Sequence, residues 1–101
     1  MSIESHSSAD GKEVRIRVRG RFDFESHQEF RAAYRNTPGT GIRYVVDLSQ
    51  TEYMDSSALG MLLLLREHAG GEFAEVTIAG PSEGVRKVLD IANFGRLFTI
   101  Q

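Results

Sequence analysis

Apolar and polar positions alternate most strictly between Glu13 and Arg19, with Val14, Ile16 and Val18 on one side and Arg15, Arg17 and Arg19 on the other. A period of two with one charged face predicts a strand covered on one side only. Ser2 to Ser7 is weakly strand-like, and Ala9-Asp10-Gly11-Lys12 supplies an Asp-Gly turn, so the chain opens as a hairpin. Gly20-Arg21-Phe22-Asp23 breaks the alternation and ends the second strand. The spacing then becomes helical: Phe30, Ala33 and Tyr34 share a stripe within Ser26 to Arg35. Asp23 or Ser26 stands where a cap belongs, and Asn36-Thr37-Pro38-Gly39 stops the helix.

Tyr44 to Leu48 is short and largely apolar, as in a strand buried on both faces. A loop from Ser49 to Met54 leads to Asp55-Ser56-Ser57, the start of a second helix over about Ser57 to His68 that Gly70-Gly71 ends. Glu75 to Ala79 alternates again as a strand. Gly80-Pro81-Ser82 opens a third helix reaching about Ile91, with Val85, Val88 and Leu89 on one stripe. Leu97 to Ile100 closes the chain as a strand or helical turn. A hairpin followed by alternating helices and strands predicts an α/β fold, a small mixed sheet of four to five strands with three to four α-helices mainly on one face. A chain of 101 residues without repeats or a linker reads as a single domain over residues 1–101.

Composition then removes function classes. Twelve Lys and Arg against fourteen Asp and Glu leave a formal charge of -2, which argues against direct nucleic-acid binding through phosphate neutralisation. Cysteine is absent, and His6, His27 and His68 are scattered without metal-ligand spacing, so no metal and no cofactor are expected. The apolar run Leu59 to Leu65 falls well short of the ~20 residues of a membrane span. The polar N-terminus lacks the features of a signal peptide, so the expected setting is cytoplasmic, away from membranes. There is no Gly-x-Ser-x-Gly elbow, and His68 lies about three helical turns beyond the serine pair, so no catalytic residue is expected. Gly39-Thr40-Gly41 reads as a turn rather than a phosphate loop.

One stretch is distinctive: the buried strand Val45-Val46-Asp47-Leu48, a short loop, then Asp55-Ser56-Ser57-Ala58-Leu59-Gly60 at a helix start. A serine there either caps the helix, worth ~1 kcal/mol, or is presented to a kinase. A helix N-terminus tolerates a phosphate because free N–H groups and the positive end of the macrodipole face it. Leu59 and Met61 to Leu65 cover more than half the helix circumference, so neighbouring helices bury the excess or another protein meets it beside the serines. Gly60 costs ~1 kcal/mol relative to Ala, which predicts a close backbone approach to the sheet or to a partner.

Asp47-Leu48-Ser49 followed by Met54-Asp55-Ser56-Ser57-Ala58-Leu59-Gly60 resembles the signature of STAS domains, specifically the bacterial anti-sigma factor antagonists. Gly20-Arg21-Phe22-Asp23 and the tail from Leu89 to Ile100 are similar to flanking pieces of the same family, so the resemblance covers nearly the whole chain. It implies a STAS fold and a phosphoacceptor at Ser57, with Ser56 the second candidate. It implies a partner surface around Asp23, Asp55, Ser56, Ser57, Ala58, Leu59 and Met61. The implied partners are an anti-sigma factor, often itself a serine kinase that uses ATP, and a metal-dependent PP2C-type phosphatase that restores binding. The ATP and the metal belong to those enzymes. Ala58 stands where the family has Gly, and Phe22 where Leu is usual; neither removes the acceptor. The competing expectation within the family is a scaffold subunit of a transporter ATPase or signalling complex, without phosphorylation.

Overall fold

In the computed structural model, which describes residues 2–101, β1 (Ser2–Ser7) and β2 (Glu13–Phe22) form the antiparallel hairpin, pairing Ile3 with Val18 and Ser7 with Val14. Asp10 shapes the turn: one carboxylate oxygen accepts from the Ser8 hydroxyl at 2.6 Å and from the Lys12 N–H at 3.0 Å. The other strands are β3 (Arg43–Asp47), β4 (Thr51–Met54), β5 (Glu75–Ala79) and β6 (Thr99–Ile100). The helices are α1 (His27–Ala32), entered through a 3-10 turn at Phe24–Ser26, α2 (Ser56–His68) and α3 (Glu83–Ile91). The strand order is β1-β2-β3-β5-β6, with every pair after the hairpin parallel and β4 added on β2.

The strand register explains where the core sits. Val14 pairs with Tyr44 and Tyr44 with Val76, while Ile16 pairs with Val46 and Val46 with Ile78, so these side chains line one face. They join Phe30 of α1, Ala58, Met61, Leu62 and Leu65 of α2, and Val85 and Leu89 of α3 in one buried cluster. The three α-helices therefore cover the same face of the sheet, as expected. Arg15, Arg17 and Arg19 stand on the uncovered face, where Arg17 pairs across to Asp47.

Asp47 is buried on that face and fully engaged. One oxygen accepts from the Ser49 N–H at 2.9 Å and the Ser49 hydroxyl at 2.6 Å; the other accepts from Arg17 Nε at 3.3 Å, with Arg15 at 4.0 Å. Burial alone would raise its pKa, but the Ser49 bonds and the Arg17 guanidinium outweigh it and hold the carboxyl below its ordinary value. The Asp-Leu-Ser motif thus fixes the turn that leaves β3.

Several expectations change. The sheet has six strands rather than four to five, because the expected loop from Ser49 to Met54 contains β4. That strand is buried at Thr51 and Met54 and exposed at Glu52 and Tyr53, a pattern without period two. The second strand does not stop at Arg19 but continues to Phe22. Gly20, at φ 81, carries an irregularity where the register shifts, and β2 passes from pairing with β3 to pairing with β4. The handover is tied by the Gly20 N–H donating to Gln50 O at 2.9 Å and the Thr51 hydroxyl donating to Val18 O at 2.8 Å. The first helix is shorter than expected, ending at Ala32; Tyr34 O instead accepts from the Thr37 hydroxyl at 2.5 Å. The tail resolves into a 3-10 turn and the short strand β6.

Candidate functional site

The chain enters α2 through Asp55, an extended residue at φ -107 whose carboxylate accepts from the Ser57 N–H at 2.9 Å and the Ala58 N–H at 3.2 Å. Asp55 is therefore the N-cap, and Ser56, Ser57 and Ala58 are the first three helical residues. Neither serine serves as the cap, and among the described residues neither hydroxyl makes a hydrogen bond. Ser56 is exposed and Ser57 half-buried. The helix begins one residue earlier than expected, because the carboxylate displaces the hydroxyls from the capping role.

Asp23 arrives at the same place from the neighbouring strand. Phe22 and Met54 are register partners on the parallel strands β2 and β4, so the residues that follow them, Asp23 and Asp55, leave the sheet at the same end. The Asp55 N–H donates to Phe22 O at 3.3 Å, which joins the two exits. Asp23 also caps: its carboxylate accepts from the Glu25 N–H at 3.1 Å, and its own N–H donates to the Ser26 hydroxyl oxygen at 3.1 Å, a reciprocal capping box. Its second oxygen accepts from Arg21 Nε at 3.1 Å.

The remaining expected partner residues divide. Leu59 is half-buried and borders the helix start. Ala58 at 0% exposure and Met61 at 4% point into the core and not onto the surface where a partner was expected to meet them. On a helix, positions three apart share a face, and Ala58, Met61 and Leu65 share the one turned to the sheet. Among the surplus leucines, Leu63 and Leu64 remain exposed. Nor does the backbone of the sheet approach Gly60: a Cβ built there meets nothing within 4 Å. The glycine instead leaves bare backbone at the surface, one turn beyond Ser56.

Three side chains unread in the sequence complete the surface. Phe24 is 75% exposed directly after Asp23, and Tyr53 is 44% exposed two residues before Asp55. Arg21 lies 4.2 Å above the Tyr53 ring while holding Asp23, so one guanidinium braces strand β4 and the exit of β2 together. Tyr53 was hidden because β4 itself was hidden, and a lone Phe in a loop has no periodicity to mark it. No group of three or more metal-ligating side chains occurs among the described residues, and no helix is long and apolar enough to cross a membrane.

Comparison with known proteins agrees with this arrangement. A family model described as "Mlab, STAS domain" matches residues 5–99. The STAS-domain containing protein PA14_20770 of Pseudomonas aeruginosa (strain UCBPP-PA14) is 57% identical over 100 residues, covering 99% of each chain. The STAS domain of an antisigma-factor antagonist from Rhodobacter sphaeroides is 32% identical, with 81% of this chain and 91% of that chain covered and a TM-score of 0.61. The anti-sigma factor antagonist SpoIIAA is 18% identical in its unphosphorylated form, over 99% of this chain and 87% of that one, with a TM-score of 0.71. The phosphorylated form from Bacillus is 19% identical, over 99% and 91% of the two chains, with a TM-score of 0.70. At that identity the likeness to SpoIIAA is one of fold. The chain belongs to the STAS-domain family, and its fold is that of the SpoIIAA-type anti-sigma factor antagonists.

Proposed function

We propose that this single-domain protein is an anti-sigma factor antagonist that works as a binding switch, without catalysis of its own. Unphosphorylated, it captures an anti-sigma factor through the surface around Asp23, Asp55, Ser56, Ser57 and Leu59, and so frees a sigma factor in the cytoplasm. A serine kinase, in many such systems the anti-sigma factor itself, phosphorylates Ser57, and a PP2C-type phosphatase reverses the modification. The observation that carries this reading is the division of labour at the helix start: Asp55 caps α2, and the Ser57 hydroxyl is left without a structural bond. Ser57 sits in the first turn, so a phosphate meets the positive helix end and is accommodated by the fold.

Its effect falls on the partner. About −1.5 to −2 charges placed ~5 Å from a partner carboxylate, at an effective dielectric of ~20, repel by roughly 5–7 kcal/mol before screening. Half of that weakens binding by about 100-fold. The test is partner capture by two variants of the chain. Ser57→Ala should bind constitutively, and Ser57→Asp should bind poorly with an unchanged circular dichroism spectrum. Equal capture by both variants overturns the mechanism. Ser56 is the more exposed of the pair, so mapping the phosphate by fragmentation mass spectrometry assigns the acceptor; modification at Ser56 would move the switch by one residue.

A second reading has one observation in its favour: the matching family model is described as Mlab and does not carry the antagonist name. In that reading the chain is a STAS scaffold subunit of a transporter ATPase, with no phosphoryl chemistry. Intact-mass measurement on protein from its native cells separates the two. An added phosphate supports the switch, and an unmodified chain that co-purifies with an ATPase supports the scaffold.

A further inference from the structure

The outer face of the first helix carries a groove unrelated to the capping of α2. Helices α1 and α2 run side by side in the same sense: the 3-10 turn before α1 contacts α2, and the ring of Tyr34, just past the end of α1, lies 5.0 Å from that of His68, the last residue of α2. Three clefts follow one another along this face. The first, of about 470 Å³, is bounded by Phe24, Glu25, His27 and Gln28. The next, of about 530 Å³, shares His27 and Gln28 and adds Arg31, Ala32 and Arg35. The last, of about 390 Å³, shares Arg31 and Arg35 and ends on Tyr34, Leu64 and His68. The first two are lined by the 3-10 turn and α1 alone and only the last reaches α2, so together they form a trough that follows the outer face of α1 and ends against the last turns of α2. From residue 24 to residue 35 it extends roughly 16 Å, about three turns of a docked helix.

Its chemistry is polarised. Phe24 at one end is 75% exposed and Leu64 at the other 52% exposed, so each end offers an apolar anchor. Arg31 and Arg35 stand between them. The arginines of β2 and Arg43 are all ion-paired, Arg15 and Arg17 with Asp47, Arg19 with Glu4, Arg21 with Asp23, and Arg43 with Glu13 and Glu75. Arg31 and Arg35 pair with no carboxylate among the described residues. Two guanidiniums without a carboxylate partner on a chain of net charge -2 make the stretch from His27 to Leu64 cationic, with Glu25 lining the opposite, Phe24 end.

We infer that this trough along the outer face of α1 docks an acidic amphipathic helix of a partner protein, whose apolar side chains reach Phe24 and Leu64 and whose carboxylates meet Arg31 and Arg35. The occupant is selected by charge complementarity, and a helix in a groove buries its apolar face while its acids pair at the rim. This docking requires no phosphate and holds whether or not Ser57 is modified.

The test uses the whole protein and two fluorescein-labelled helical peptides of about 12 residues, the length that fills three turns. One carries leucines on one face and glutamates on the other; its counterpart has lysines for the glutamates. The glutamate peptide should bind, weaken as salt rises, and exceed the lysine peptide by at least ~10-fold in affinity. Arg31→Glu with Arg35→Glu should abolish that preference, and Leu64→Ser should weaken binding several-fold, about 3–10 times. Arg96→Glu, at an exposed arginine outside the groove, should change nothing. Equal affinity for both peptides, no saturation of either by about 1 mM, or the same loss from Arg96→Glu as from the groove pair overturns the inference. So does sedimentation showing that Leu64→Ser dissolves a dimer, since the groove would then be filled by a second copy.

Discussion

At the scale of single residues, the start of α2 separates the oxygen atoms that hold the helix from those that make no structural bond. Asp55 stabilises two N–H groups of the first turn, and the serines after it stabilise none. Asp55→Ala should therefore lower the unfolding free energy by about 1 kcal/mol, equivalent to ~4–8 °C in Tm for a domain of this size. Ser56→Ala and Ser57→Ala should each stay within about 0.5 kcal/mol of wild type in urea unfolding. A Ser57→Ala variant as unstable as Asp55→Ala would show that the hydroxyl has a structural job and is not reserved for chemistry. Asp23 has the same dual character, since its two oxygens hold the 3-10 turn and Arg21. Loss of Asp23 should disturb both the loop at Phe24 and the guanidinium on Tyr53.

At the scale of elements, the two ends of α2 are held by different means. The first end is capped by a side chain, and the last is wedged against the loop that enters β3. Gly39 adopts φ +90, and a Cβ there would stand 2.5 Å from the backbone carbonyl oxygen of His68. Its N–H donates to the Tyr44 hydroxyl at 3.1 Å, while His68 Nε2 lies 3.0 Å from Thr37 O. Gly39→Ala should cost about 2 kcal/mol or more, because it combines a disfavoured backbone conformation with a contact to backbone that has little room to move. Thermal unfolding measures this directly; a loss below about 0.5 kcal/mol would mean that the loop relaxes away from α2. Ser57, the proposed acceptor, lies about 16 Å along the helix from this wedge, so under the proposed switch phosphorylation of the folded variant should proceed as in wild type.

At the scale of the whole molecule, one face of the sheet is packed by helices and the other is held by charge. Asp47 is the centre of that second face, with Ser49 and Arg17 bonded to its carboxylate and Arg15 at the limit of pairing distance. Its folded pKa lies below the ordinary value of 3.8. The stabilisation it contributes is therefore complete above that value and is lost as pH falls through the lower folded value. Asp47→Asn should be less stable than wild type by about 1–3 kcal/mol at neutral pH. The gap should narrow as pH falls below the ordinary carboxylate value and close only at the lower folded value, where the native carboxyl is itself protonated. Urea unfolding of both forms across that range checks it, and a gap independent of pH would show that shape rather than charge makes the contribution.

The sequence by itself determined the periodic elements and the run of residues proposed as the switch. Val14, Ile16 and Val18 alternate because β2 has one covered face, and Val85 and Leu89 sit one turn apart because α3 does. Asp55-Ser56-Ser57 is legible because a capping carboxylate and adjacent hydroxyls occur in one short run. Only the tertiary structure decided which residue of that run is the cap, since three side chains compete for the same N–H groups and backbone direction selects one. It alone revealed β4, whose in-out-out-in burial has no period to read and which exists only because the Gly20 irregularity turns β2 toward it. It also sorted the leucines of α2: a hydrophobic run states that burial is favourable, but the packing of the sheet beneath decides that Leu62 and Leu65 are covered and Leu64 is left to solvent.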